Sequence, residues 1–389
     1  MSEWPFRYGH SSRVSPVPIV LAPPLTEVWN EWVPHPVWQL PLISGGIVAY
    51  RQGATLQARR EADGKKLWKA KITDTDPACI RESELVAWLE PSSASFLRLD
   101  TGEKSATLPA STMARCLVSR GLLVGSVVQH VSAYDLHGRR HAWTWQVDPP
   151  QFGAEGDQNF LGMTPCADDE RLYFGLRDGT VRALALRDGR EAWRQEAFPE
   201  RKRGLPEVKG VAFFAEGTVF VRSEYHVGAF DGRTGRRRWA REFETLLRDG
   251  CVYGDRYYAL GSGGAYSVLD LRDGRDVFRA DLRKQVPEKM WERNDTFHPL
   301  LVSETHLFCG LGVGYVLAFE RHTARLAWHY RPKPHASFHP DSYFQIVGGR
   351  LYTGDLSFLR VFEPETEKAG RGSARTSTRA KPATRKKTR

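Results

Sequence analysis

The chain has 389 residues, a formal net charge of +10 and 41% hydrophobic content. No apolar run approaches the roughly 20 residues that a membrane-spanning helix needs, which excludes that class. The five cysteines, Cys79, Cys116, Cys166, Cys251 and Cys309, show neither CxxC nor metal-type spacing, so a zinc module or a disulfide-knit fold is not indicated. They read as small buried residues on inner strands of a protein kept in a reducing compartment.

The N-terminus, Met1-Ser2-Glu3-Trp4-Pro5, has no basic n-region and no apolar h-region. It does not read as a signal peptide, and a cytoplasmic protein without membrane attachment is the expectation. Residues 1–24 are a lead-in. Leu25-Thr26-Glu27-Val28-Trp29-Asn30 has strand character and carries a tryptophan. Four strands follow, over residues 39–44, 47–51, 54–60 and 66–72.

From there a local pattern repeats. A two-residue turn is followed, four residues after its second member, by a large side chain. Asp63-Gly64 leads to Trp68, Asp188-Gly189 to Trp193, Thr234-Gly235 to Trp239 and Asp273-Gly274 to Phe278. Weaker copies are Thr101-Gly102 before Ala106, His137-Gly138 before Ala142 and Trp143, and Thr323-Ala324 before Trp328. The spacing averages about 43 residues, the period of a four-stranded propeller blade. Asp-Gly between β-rich runs such as Thr180–Leu186 is a hairpin signal, with glycine supplying positive φ. The tryptophan then lies on an outer strand, where its ring can close the seam to the neighbouring blade.

Two copies depart from the pattern. Ala106 leaves its seam to be filled by another residue, with Trp88 as candidate. Ala324 stands where glycine is expected, and the strain of a left-handed alanine predicts a wider turn there.

After Trp328 come strands over 342–347, 350–353 and 358–363 with no outer strand behind them. The 25–30 strand supplies the missing one. The prediction is an all-β, eight-bladed propeller over residues 25–367, closed by its N-terminal strand, with seven blades as runner-up. Closure removes exposed sheet edges. Residues 368–389 hold nine basic residues and no acidic one, so the body is nearly neutral. This tail lacks aromatic and large aliphatic residues and is expected to be disordered.

The runs Leu186–Trp193 and Phe230–Trp239, with the opening Trp4-Pro5-Phe6-Arg7-Tyr8-Gly9-His10, resemble the quinoprotein-type propellers. That family includes pyrroloquinoline-quinone dehydrogenases and an outer-membrane assembly lipoprotein. WD40 repeats fit less well, because no Trp-Asp dipeptide occurs. The dehydrogenases of this resemblance hold their quinone beneath a ring of two adjacent cysteines, with calcium nearby. No Cys-Cys pair occurs here, so no cofactor is expected and quinone-dependent oxidation is the least favoured reading.

A loop-rich face is the candidate site. The longest connections, residues 148–160, 199–210, 283–297 and 331–341, emerge together in a propeller, where elaborated loops bind partners. They supply Trp291, Arg293, Arg201, Arg203, Arg331 and Phe338, residue types typical of interaction hot spots. Tryptophans 29, 68, 143, 193, 239 and 328, with Phe278, read as structural docking residues. His335 and His339 are separated by prolines from any helical register, so metal binding is not indicated. Asp295 and His298 lack an accompanying nucleophile, so catalysis is not indicated either. The resulting expectation is a monomeric, non-catalytic scaffold for a protein partner. The alternative is polyanion or nucleic-acid association through Arg379, Lys381, Arg385, Lys386, Lys387 and Arg389. With no aromatic for stacking, contact there is with phosphate and independent of sequence.

Overall fold

The computed structural model describes residues 20–32, 41–73, 78–127, 130–147, 163–200, 202–204, 207–290, 297–312, 314–333, 343–355 and 358–365. Its strands form eight antiparallel meanders arranged as the blades of a ring. Blade one comprises Leu42–Ser44, Ile47–Gln52, Thr55–Arg60 and Lys66–Lys71. Blade eight comprises Tyr343–Val347, Arg350–Gly354 and Phe358–Pro364. Leu25–Trp32 completes it, with Leu25 opposite Pro364 and Trp32 opposite Phe358. The eight-bladed, N-terminally closed alternative is therefore the one adopted.

Burial explains why these segments are strands. Third strands such as Thr180–Ala185 are covered on both faces, whereas the outer strand Glu191–Glu196 buries Trp193 and exposes the rest. The hydrophobic core is accordingly divided among the seams, each cluster drawing on neighbouring blades.

Each seam is built from one ring and one turn. The Trp143 indole lies flat over Gly189 of the next blade, where an added Cβ would stand 2.5 Å from the ring. Gly189 also has φ +72°, so the close approach and the turn both require glycine. Trp143 Nε1 donates to the Leu186 carbonyl at 2.6 Å. The same pairing joins Trp29 to Gly64, Trp68 to Gly102, Trp193 to Gly235 and Trp239 to Gly274. In every case the indole N–H donates to the carbonyl three residues before the glycine. An alanine on the third strand faces each of Trp68, Trp143, Trp193 and Trp239 and leaves room for the ring.

Three seams differ, and two overturn details expected from the sequence. Ala324 does not widen its turn. It is left-handed at φ 57°, and its N–H bonds to the Glu320 carbonyl at 2.8 Å, as the glycines do with theirs. Ala324 is buried in the cluster against which Phe278 packs, so this seam carries a ring smaller than indole. In blade three the left-handed residue is Arg139 (φ 49°) and not Gly138, so the turn sits one residue later than read. Arg139 extends its guanidinium over Phe96 of blade two at 5.2 Å. Phe96 is opposite Ala106, so large and small residues have exchanged strands in that blade. Trp88 is fully buried in the same cluster and donates to the Ala110 carbonyl at 3.0 Å. At the third seam Trp328 meets no glycine turn among the described residues. It stacks on Tyr330 at 6.0 Å and meets the Phe362 edge at 6.5 Å.

Ring closure adds polar ties. Arg360, with no exposed side-chain surface, bridges Glu27 at 3.2 Å and Asp355 at 3.5 Å. Glu61 of blade one accepts from Tyr352 through its carboxylate at 2.5 Å, and from Trp29 and Arg350 through its carbonyl at 2.9 Å. All five cysteines are free thiols. Cys79, Cys116, Cys166 and Cys251 lie on innermost strands, whereas Cys309 lies on a second strand.

Candidate functional site

The loop face is formed where outer strands pass to the next blade. Between blades six and seven, Asp276–Asp281 runs into two short 3-10 turns, Leu282–Gln285 and Glu288–Met290. The Asp281 carboxylate accepts from Arg283 N at 3.0 Å and caps the first turn. Leu282, Val286 and Met290 are buried in the seam, whereas Lys284 and Lys289 are exposed. This connection is thus pinned on apolar residues at alternate sides of its polar ones. Trp291 and Arg293 follow it directly but lie outside the described residues, as do Arg201 and Phe338.

The two remaining candidates are described. Arg203 is exposed, and its Nη1 donates to the Glu244 carbonyl at 3.4 Å. Arg331 is exposed, with its guanidinium 5.1 Å from the Tyr315 ring centre. His298 is buried on the innermost strand of blade seven. Asp295, His335, His339 and the whole segment after residue 365 lie outside the described residues.

Toward the axis the structure shows polar ties that the sequence reading missed. Arg222 of blade five donates to the Leu247 and Arg248 carbonyls of blade six at 3.4 and 3.3 Å. The Asp249 carboxylate accepts from Leu300 N of blade seven at 2.8 Å. Burial raises the Asp249 acid above its usual range, and Arg222 with the two backbone donors partly offsets it. Three blades are thereby stapled at the mouth. Lys209 bonds Glu224 at 2.9 Å and Glu207 at 3.2 Å. Burial disfavours its charge, yet these two carboxylates hold it above the ordinary lysine value. The only available signal was Glu207-x-Lys209 ending a long connection.

Met163–Thr164 pairs in parallel with Lys209–Ala215 and adds a fifth strand on the channel side of blade five. Arg115 Nη1 of blade three reaches Thr164 Oγ1 at 3.5 Å. The connection from blade three thus crosses toward blade five at the channel mouth. The chain offers a poor fit to a quinone–calcium site. No two cysteines are adjacent in sequence. Burial raises the Cys79, Cys251 and Cys309 thiols far above their usual range. Among the described residues, no group of three or more His, Cys, Asp or Glu side chains could hold a metal ion.

A family model described as outer membrane protein assembly factor BamB matches residues 84–259 and 226–366. BamB of Salmonella typhimurium is 21% identical over 320 residues, covering 73% of this chain and 77% of that protein. Quinohemoprotein alcohol dehydrogenase ADH IIB of Pseudomonas putida is 26% identical over 185 residues. That match covers 42% of this chain but only 25% of the enzyme's length. Among solved structures, BamB of Moraxella catarrhalis aligns with a TM-score of 0.62 at 14% identity, over 87% of this chain and 99% of that one. Quinohemoprotein alcohol dehydrogenase ADHIIG of Pseudomonas putida HK5 gives 0.65 at 11% identity, over 98% and 83%. At these identities the structural likeness speaks for the fold. The family match covers well over half of the sequence, and with the seam geometry it leads to one conclusion: the chain belongs to the BamB-type family of pyrroloquinoline-quinone-repeat β-propellers.

Proposed function

We propose that this protein is a non-catalytic scaffold that presents its loop face to a protein partner. The observation that carries the reading is the pinned connection between blades six and seven. Buried Leu282, Val286 and Met290 hold a segment whose next residues are Trp291 and Arg293. Anchored loops on a rigid ring bind with little ordering cost. Membership of a family described by an assembly factor supports the same direction, and the missing adjacent cysteines argue against quinone oxidation. The scaffold acts as a monomer in the cytoplasm in this reading, and cell fractionation tests the compartment.

Affinity purification with mass spectrometry tests the function. The wild-type chain should retain a stoichiometric partner. The combined variant Trp291→Ala, Arg293→Ala, Arg331→Ala should lose it while melting at the same temperature. Full retention by that variant would move the site elsewhere. Titration with the quinone and calcium should leave both absorbance and melting unchanged, and a saturable shift would restore the oxidoreductase reading.

A further inference from the structure

The outer edge of blade eight is guarded differently from the other seven rims. An outer strand pairs on one side only, so its free backbone groups are a template for any extended chain that meets them. Natural sheets deter such pairing with charge, proline or a very short edge. Six of the outer strands expose charge: Lys69, Lys104, Arg140, Arg194, Arg238 and Arg279 each stand on a different one. The seventh, Leu326–Tyr330, has only five residues and lies between exposed Arg325 and Arg331.

Leu25–Trp32 has eight residues, more than any other outer strand, and contains no proline. It pairs with Phe358–Pro364 on one side and, among the described residues, with no strand on the other. Its exposed side chains are Thr26, Asn30 and Trp32, none of them charged. Glu27 and Glu31 are the only Asp, Glu, Lys or Arg residues between positions 14 and 50, and both are half-buried. Glu27 accepts from Asn30 at 2.6 Å and from Arg360 at 3.2 Å, and Glu31 pairs with Arg59. Both carboxylates are thus turned to the sheet faces and away from guarding the edge. The bulge at Val28 recurs at the matching place in blades one and four, so it does not set this edge apart. Trp32 does. It is 60% exposed and is the one exposed Trp, Tyr or Phe among the described residues. Its carbonyl accepts from Gln52 Nε2 of blade one at 3.4 Å, which ties the end of the strand to the next blade.

We infer that this edge takes up an extended, uncharged segment of a partner protein, which adds a fifth strand to blade eight. Backbone hydrogen bonds along Leu25–Trp32 supply the affinity, and side chains at alternate positions of the incoming segment supply the choice. Asn30 and Trp32 are two residues apart and share a face, so an apolar side chain laid over the indole fixes the register. An exposed tryptophan is a common anchor of such contacts. A charged segment finds no counter-charge among Thr26, Asn30 and Trp32, whereas a segment rich in β-branched or aromatic residues meets nothing that repels it. The edge uses none of the loop-face candidates, so this inference does not rest on the scaffold reading.

The test selects from a displayed library of random peptides of about ten residues, long enough to cover the strand, on the full-length chain. Enriched peptides should be uncharged, with β-branched or aromatic residues at alternate positions. In hydrogen exchange they should protect the backbone amides of Leu25–Trp32. The variant Thr26→Lys, Asn30→Lys, which restores the missing guard, should weaken them about tenfold while melting as wild type does. If that variant melts early, Trp32→Ala alone should weaken them about tenfold or more. The loop-face variant Trp291→Ala, Arg293→Ala, Arg331→Ala should bind them as wild type does, so the two readings fail separately. A library that yields no peptide distinguishing wild type from these edge variants overturns the inference, as do enriched peptides that protect other segments. A concentration-dependent dimer of wild type that the lysine variant abolishes would give the edge to a second copy of the chain and overturn it as well.

Discussion

At the residue scale, one indole performs two functions at each standard seam. Its face covers a glycine of the next blade and its N–H satisfies a carbonyl of the same turn. Gly189→Ala should therefore cost about 2–4 kcal/mol, combining left-handed strain with overpacking. Adding Trp143→Phe should recover part of that loss, because the seam that holds Ala324 in place of glycine carries Phe278 in place of indole. A double-mutant cycle in denaturant melts checks the coupling. The turn carboxylates make a second residue-scale prediction. Asp231 is held below its ordinary range by Arg238 and Thr234, Asp273 by the Arg275 N–H, and Glu320 by Arg325. Because the folded values are depressed, their stabilisation is full above the unfolded carboxylate values near pH 4 and is lost as pH falls through the native ones. Asp231→Asn should lower the melting temperature at pH 7, with the difference closing below about pH 4.

At the element scale, the N-terminal strand carries the closure. Trp29 docks on Gly64, and Glu27 meets Arg360 inside the sheet. Trp29→Ala should cost about 3–5 kcal/mol and broaden the melt. A variant that melts as late and as sharply as wild type would remove the strand from the closure. This element was legible because the last strand set lacked an outer member and Leu25–Asn30 carried the docking residue. The turn of blade three was not, because Gly138 suggested a register that Arg139 occupies one residue later. Glycine marks the usual left-handed position, but it cannot reveal an arginine whose guanidinium gains an aromatic face by adopting the same conformation. Ala324 misled for a related reason. The penalty for alanine was sound, but the smaller ring, Phe278, that packs on the same cluster belongs to another repeat.

At the scale of the whole molecule, repeat spacing made the ring legible and left its binding chemistry mostly unwritten. Blade geometry recurs every turn, whereas a site assembles once from residues far apart in sequence. The axial staple of Arg222, Asp249 and Leu300 joins three blades through backbone groups, which no side-chain pattern announces. The crossing of Met163–Thr164 to blade five is likewise a choice of neighbour rather than of residue type.

The unequal seams bear on assembly. A ring of interchangeable joints could mate repeats out of order or shut one unit early, a known hazard of repeat proteins. Here Phe96 with Arg139, Phe278 with Ala324, and Trp328 with Phe362 give particular neighbours their own fit. Such keyed contacts act as addresses within a repetitive chain. Recasting the blade-two joint in the common form, with Phe96→Ala, Ala106→Trp and Arg139→Gly, should lower the yield of monomer on refolding, read by size-exclusion chromatography.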